Sequence, residues 1–286
     1  PSIMKKILFF LSLMMVAFFT ANAQLKDDVN DDGVVDMSDA TTLIDHVLNG
    51  VNNGSSHIFI AHNVMIEMVR VEGGTFTMGA TAEQASDAFS DELPTHKVTL
   101  SPFLIGKYEV SQTLWLAVMG ENPSVNTGIN LPVDNVTWNE CQTFITKLNE
   151  LTGKNFRLLT EAEWEYAARG GNKSKGYKYS GSNNLGDVAW YIDNSNNTSH
   201  AMGTKAPNEL GIYDMTGNVM EWVSDWKGSY SSGAQTNPTG PDSGTYRVNR
   251  GGSYGNVERL SRITNRNSID PNMSSKTMGL RLCLPE

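Results

Sequence analysis

Residues Arg157-Leu-Leu-Thr-Glu-Ala-Glu-Trp-Glu-Tyr-Ala-Ala-Arg-Gly-Gly171 decide the reading of the chain. Thr160 followed three residues later by Glu163 is a capping box: the hydroxyl takes an orphan backbone N–H of the first turn, and the carboxylate reaches back to the cap. The helix opened there runs to Ala168 and is stopped by Gly170-Gly171. A second helix is predicted over Asn139–Leu151, where Cys141, Phe144, Ile145 and Leu148 share one face and Gly153 follows as a stop. Around the helices lie short strands. Val69 to Gly79 reads as strand then turn, and His96 to Ser101 alternates like a half-buried strand. Beyond residue 170 the chain is mostly loops with short strands, rich in Asn, Gly and Ser. Loops of that length in a packed domain need staples such as a metal or a disulfide. The expected class is α+β with little regular secondary structure.

The chain has 286 residues, 39% hydrophobic and 19% charged, which is a globular composition. Its formal charge of -9, from 22 basic and 31 acidic residues, lacks the positive footprint that phosphate neutralisation requires. Nucleic acid is therefore not an expected partner, and Ca²⁺ is the first cation to consider.

Near the start, Lys5 and Lys6 precede an apolar run from Ile7 to Phe19 and a small-x-small site at Ala21-Asn22-Ala23. This predicts a signal peptide over residues 4–23 and export to the periplasm, cell surface or exterior. The run is shorter than the ~20 residues that span a bilayer, and no second such run follows, so no transmembrane segment is expected after cleavage. Next comes a segment, residues 24–50, with oxygen side chains at Asp28, Asn30, Asp32, Asp36 and Asp39, Gly33 at the turn and a carbonyl from Val34. That is EF-hand spacing, followed by a helix with Leu43, Ile44, Val47 and Leu48 on one face. Asp39 stands where an EF-hand normally has a longer Glu. The segment resembles one repeat of a dockerin, which implies a cohesin-like docking partner; a complete dockerin has two repeats. Residues 51–67 read as a linker, and 68–286 as the main domain.

Within that domain a series of motifs runs in order: Gly73-Gly-Thr-Phe-Thr-Met-Gly79, Tyr108-Glu-Val-Ser-Gln112, Pro132-Val-Asp-Asn-Val-Thr-Trp138, the 157–171 stretch, Gly211-Ile-Tyr-Asp-Met-Thr-Gly-Asn-Val-Met-Glu-Trp222, Arg250-Gly-Gly-Ser-Tyr254 and Gly279-Leu-Arg-Leu282. Together they resemble the formylglycine-generating enzyme, or sulfatase-modifying factor, family. The resemblance implies a single C-type-lectin-like domain with bound calcium. It places Asp214 and Glu221 as side-chain ligands of a structural Ca²⁺, with carbonyls from Gly217 and Val219.

Oxidase members of that family carry two copper-binding cysteines shortly after the Gly-Gly-Ser-aromatic motif. An ungapped alignment puts Asn256 and Ser261 there, and neither offers the thiolate that holds Cu(I). A second catalytic branch takes iron from a His-x-x-x-His-x-Glu pattern, which His46, His57, His62, His96 and His200 do not form. The expected function is thus a calcium-binding, non-oxidase module for a carbohydrate or protein surface. Its recognition residues would be Ser253, Tyr254, Asn256, Glu258, Arg259, Arg262 and Asn265. The alternative is a copper-independent modifying or isomerase activity in the same pocket, and fold does not separate the two. The two cysteines, Cys141 and Cys283, are expected to form a disulfide in an oxidising compartment.

Overall fold

The computed structural model describes residues 55–60, 64–128 and 130–286. The signal peptide over 4–23 and the EF-hand segment over 24–50 lie outside them.

The first pair of strands, β1 (Ser55–Ile60) and β2 (Val64–Val71), is antiparallel, with Ser55 opposite Val69 and Ile60 opposite Val64. Residues 55–60 and 64–67, expected to be linker, are strand. Ile66 and Met68 enter one core cluster, whereas Val69 and Val71 enter the other. A strand buried on both faces reads as an apolar run rather than as alternation.

There follow β3 (Gly74–Met78), β4 (His96–Leu100), β5 (Phe103–Gly106), α1 (Gln112–Met119), α2 (Trp138–Thr152), β6 (Arg157–Leu158), α3 (Glu161–Ala168) and the single turn α4 (Leu185–Val188). The C-terminal part holds β7 (Met220–Trp226), β8 (Gln235–Thr236), β9 (Arg247–Arg250), β10 (Asn267–Ile269), β11 (Met278–Leu280) and β12 (Leu282–Pro285). They build a five-stranded sheet in the order β1-β2-β5-β12-β6, a four-stranded sheet β10-β9-β7-β11 and a three-stranded sheet β3-β4-β8. The architecture is mixed, sheets with few helices, as the sequence predicts.

Both predicted helices are present. At α3 the Thr160 hydroxyl accepts from the Glu163 N–H at 3.2 Å, and Glu163 Oε2 accepts from the Thr160 N–H at 2.8 Å. A matching box at Thr137 and Glu140 opens α2, and Ser111 caps α1 by accepting from the Leu114 N–H. Helix α1 was not legible because its Gln112-Thr-Leu-Trp-Leu-Ala-Val-Met119 run is short and nearly all apolar, with no periodicity to read.

The expected Cys141–Cys283 disulfide is not formed; both thiols are free and buried. Side chains alternate along β12, so Leu282 and Leu284 pack with Cys141 and helix α2 on one face of the five-stranded sheet, while Cys283 points to the other face with Ile105 and Ala162. The sheet itself separates the two sulfurs. Burial pushes both thiols well above their ordinary range, which removes the reactive thiolate. A non-reducing peptide map is expected to return two unlinked cysteines, and thiol reagents to label them only in denaturant. A cross-linked Cys141–Cys283 peptide would contradict this packing.

The loops are instead stapled by ion pairs, all buried except Glu163–Arg157, whose guanidinium is partly exposed. Helix α3 is buried all round, and each of its carboxylates meets a guanidinium: Glu161 with Arg266 at 2.6 Å, Glu163 with Arg157 at 2.7 Å, Glu165 with Arg250 at 2.5 Å. Glu92–Arg262 and Glu221–Arg281 add two more, at 2.5 and 2.6 Å. Such pairs fix loop positions through direction-specific, charge-assisted hydrogen bonds, although each ion loses hydration on burial.

Candidate binding pocket

The Arg250-Gly-Gly-Ser-Tyr254 motif makes a reversal only glycine permits. Gly251 and Gly252 have φ of +92° and +70°, and a Cβ on Gly252 would lie 2.9 Å from the Leu260 carbonyl oxygen. The chain thereby lies flush against the 3₁₀ turn Glu258–Ser261. Ser253 Oγ donates to Asn256 Oδ1 at 2.8 Å, and the Asn256 N–H donates to the Ser253 carbonyl, which fixes the Asn256 side chain.

The seven recognition residues expected from sequence do not form one exposed surface. Ser253, Tyr254, Arg262 and Asn265 are buried. Tyr254 donates its hydroxyl to the Lys276 carbonyl at 3.0 Å, and Arg262 is held by Glu92. Glu258 and Arg259 are outside; Glu258 accepts the Tyr179 hydroxyl at 2.6 Å, and Arg259 lies over the Phe89 ring and donates to the Asp87 carbonyl. A polar loop packed on other polar loops satisfies itself internally, which composition alone does not reveal.

What remains of the expected surface is a cavity of about 400 Å³ bordered by Phe89, Asp91, Asn249, Asn256, Asn265 and Asn267. Arg250 and Arg266 also border it, but Glu165 and Glu161 neutralise them. Asn249 is fully buried, and neither its amide nitrogen nor its amide oxygen has a partner among the described residues. Its backbone is fixed by β9, which lies between β7 and β10. A buried, unpaired carboxamide is destabilising, about 1–3 kcal/mol by general experience. It presents a donor and an acceptor side by side, the complement of another amide. Nothing in the sequence distinguished Asn249 from other strand residues. Ser261, the second of the two positions aligned with copper cysteines, is buried behind Gly252 and donates to the Val257 carbonyl.

Of the predicted calcium ligands, the Glu221 side chain has other partners. Glu221 is committed on both oxygens: Arg281 donates to them at 2.6–3.1 Å, and Trp164 Nε1 donates at 2.7 Å. The Val219 N–H donates to Glu109 Oε1, and the Gly217 N–H to the Gly251 carbonyl. Asp214 accepts from the Gly203 N–H, and its Oδ1 is buried without a partner. Among the described residues no group of three or more His, Cys, Asp or Glu is arranged to hold a metal ion. The cation in this cluster is Arg281, and Glu109 is an acid the sequence reading missed.

Burial, with nearby Asp214 and Glu221, raises the Glu109 carboxyl well above its ordinary value. Burial likewise pushes Asp214 and Asp134 up to about 6 and, helped by Glu161, Asp225 up to about 7. Glu92 goes the other way: burial acts to raise it, but hydrogen bonds from Arg262 and Thr264 win and hold it low. The raised groups set the pH dependence at neutrality. Between about pH 4 and 7 the folded state keeps protons that the unfolded chain has released, so stability falls as pH rises through that window. Groups such as Glu92 act below it, where stability falls as pH drops. The melting temperature is expected to peak near pH 4 and to lie about 5 °C lower at pH 8; a curve that rises steadily from pH 5 to 8 would contradict this.

Fold and pocket define a loop-rich mixed domain whose short strands are bound by arginine–glutamate pairs around a Gly-Gly-Ser-Tyr turn. The family model of the sulfatase-modifying factor enzyme 1-like domain matches residues 60–284, and the chain belongs to that family. It is 34% identical over 268 residues to the chaperone protein LppX of Paenibacillus barcinonensis, covering 76% of this chain and 88% of the relative. With the formylglycine-generating enzyme of Thermomonospora curvata it shares 28% identity, over 75% of this chain and 92% of the enzyme. Among solved structures, Treponema denticola variable protein 1 matches with a TM-score of 0.73 and 30% identity, covering 81% of this chain and 99% of that one. PvdO from Pseudomonas aeruginosa matches with a TM-score of 0.64 and 28% identity, covering 77% and 95%.

Proposed function

We propose that this chain is an exported polypeptide-binding member of the family, without cysteine-oxidase activity, that holds its ligand in the Asn249 pocket. The carrying observation is the fully buried Asn249, whose amide has no partner among the described residues and which borders a cavity. A peptide backbone offers the matching N–H and C=O, and Asn256, Asn265 and Asn267 offer further donors and acceptors around the same cavity. The relation to a protein named as a chaperone supports a polypeptide ligand over a sugar. Asn256 and Ser261, neutral oxygen and nitrogen donors where oxidases place thiolates, argue against copper chemistry.

Export rests on the charged and apolar pattern of residues 4–23, and calcium on the spacing of Asp28 to Asp39. The lectin-like description of the scaffold rests on the family resemblance. The test is an array of unstructured peptides and glycans probed with the full chain and with Asn249→Leu. Peptide signals that vanish in the variant support the proposal. Signals restricted to glycans, or unchanged in the variant, overturn it.

A further inference from the structure

Four interior arginines, Arg250, Arg262, Arg266 and Arg281, each face a carboxylate at 2.5–2.6 Å. Arg247 is different. Its guanidinium carbon lies 3.8 Å from the Trp138 ring centre and 3.5 Å from that of Trp226, so both of its faces are covered by indoles. In its own plane, Nη1 donates to the Ser224 carbonyl, while the buried Nε has no partner among the described residues. The nearby charge is Asp225, whose Oδ2 is already taken by the Glu161 N–H and the Ser224 hydroxyl. The one direction left to this cation is the edge formed by Nε and Nη2.

We propose that the cavity beside Arg247 is a binding site for a monocarboxylate, received in the plane of the guanidinium by its Nε–Nη2 edge. The cavity measures about 620 Å³ and is separate from the Asn249 pocket. Its walls include Asn237 and Thr239, which offer polar groups to hydroxyls or amides of the ligand, and Arg157, whose Nη1 and Nη2 are already held by Glu163 at the same wall. Glu286, paired with Arg70, and Asp242 also border it, and Asp242 offsets one positive charge, which disfavours a dianion such as phosphate. A guanidinium edge matches two carboxylate oxygens at once, and the indole faces hold it flat, so little further ordering is required on binding. Two sources share this chemistry, a sugar acid and a peptide C-terminus.

The experiment is intrinsic tryptophan fluorescence of the full chain, since Trp138 and Trp226 contact the binding cation. Glucuronate and glycylglycine are titrated, with glucose, glycylglycinamide and inorganic phosphate as controls. A saturable change with either carboxylate and none with its neutral counterpart is expected, and which one responds identifies the source. Arg247→Lys keeps the charge but not the fork and should weaken binding at least about tenfold. Thr239→Phe fills the cavity from an exposed loop, leaves Arg247 untouched, and should abolish the response without loss of folding. No response to either carboxylate, an equal response to glucose or phosphate, or full binding by Thr239→Phe would overturn the proposal.

Discussion

Replacing Arg281 by Met is expected to lower the stability of the domain by about 3–5 kcal/mol and its melting temperature by about 10 °C. The guanidinium is fully buried, bonds both oxygens of Glu221, and donates to the carbonyls of Gly106 and Tyr213. Without it, three buried and mutually repelling carboxylates, Glu109, Asp214 and Glu221, lose the guanidinium they share. The loss should therefore shrink at pH 5, where protonation removes charge from the raised members of the cluster. It should also shrink in Arg281→Met/Glu221→Gln, because the second change removes the stranded charge. Chemical denaturation of the four proteins of that cycle checks it; a melting temperature of Arg281→Met within about 2 °C of the parent would show that the cluster does not depend on Arg281.

Asn249→Leu is expected to separate stability from binding. The buried amide bonds nothing among the described residues, so an apolar side chain of similar volume should leave the domain equally stable or raise its stability by about 1–2 kcal/mol. Peptide binding should fall at least about tenfold, since a donor and an acceptor are lost at once. A residue kept for packing would show the opposite pattern, lower stability with binding unchanged. Denaturation midpoints beside peptide titrations of the same preparations distinguish the two. A polar group that costs stability and is nevertheless fully enclosed at a cavity wall is the kind of feature that function maintains.

The helix opened by Thr160 and the strand at His96 were legible because capping and alternation are local signals. Helix α1 and the first part of strand β2, Val64 to Met68, were not, since elements buried on several sides lose the polar face that marks periodicity. The candidate pocket was half legible. Asn256 and Asn265 were placed by their distance from Gly251-Gly252, but Tyr254 and Arg262 point inward, and Asn249 carried no sign at all. The staples were misread for a single reason. Long loops signal that something must hold them, and a sequence shows carboxylates, cysteines and arginines without showing which meet. Here Glu92, Glu161, Glu165 and Glu221 meet arginines, and the two cysteines lie on opposite faces of one sheet.

The central claim is that this member of the family binds a polypeptide and does not oxidise it. The direct measurement is mass spectrometry of a Cys-x-Pro-x-Arg peptide incubated with the purified chain, Cu(I), oxygen and a reductant. The expected result is an intact cysteine, indistinguishable from a blank containing metal alone. Loss of sulfur above that blank would contradict the account, because Asn256 and Ser261 would then be standing in a working oxidase.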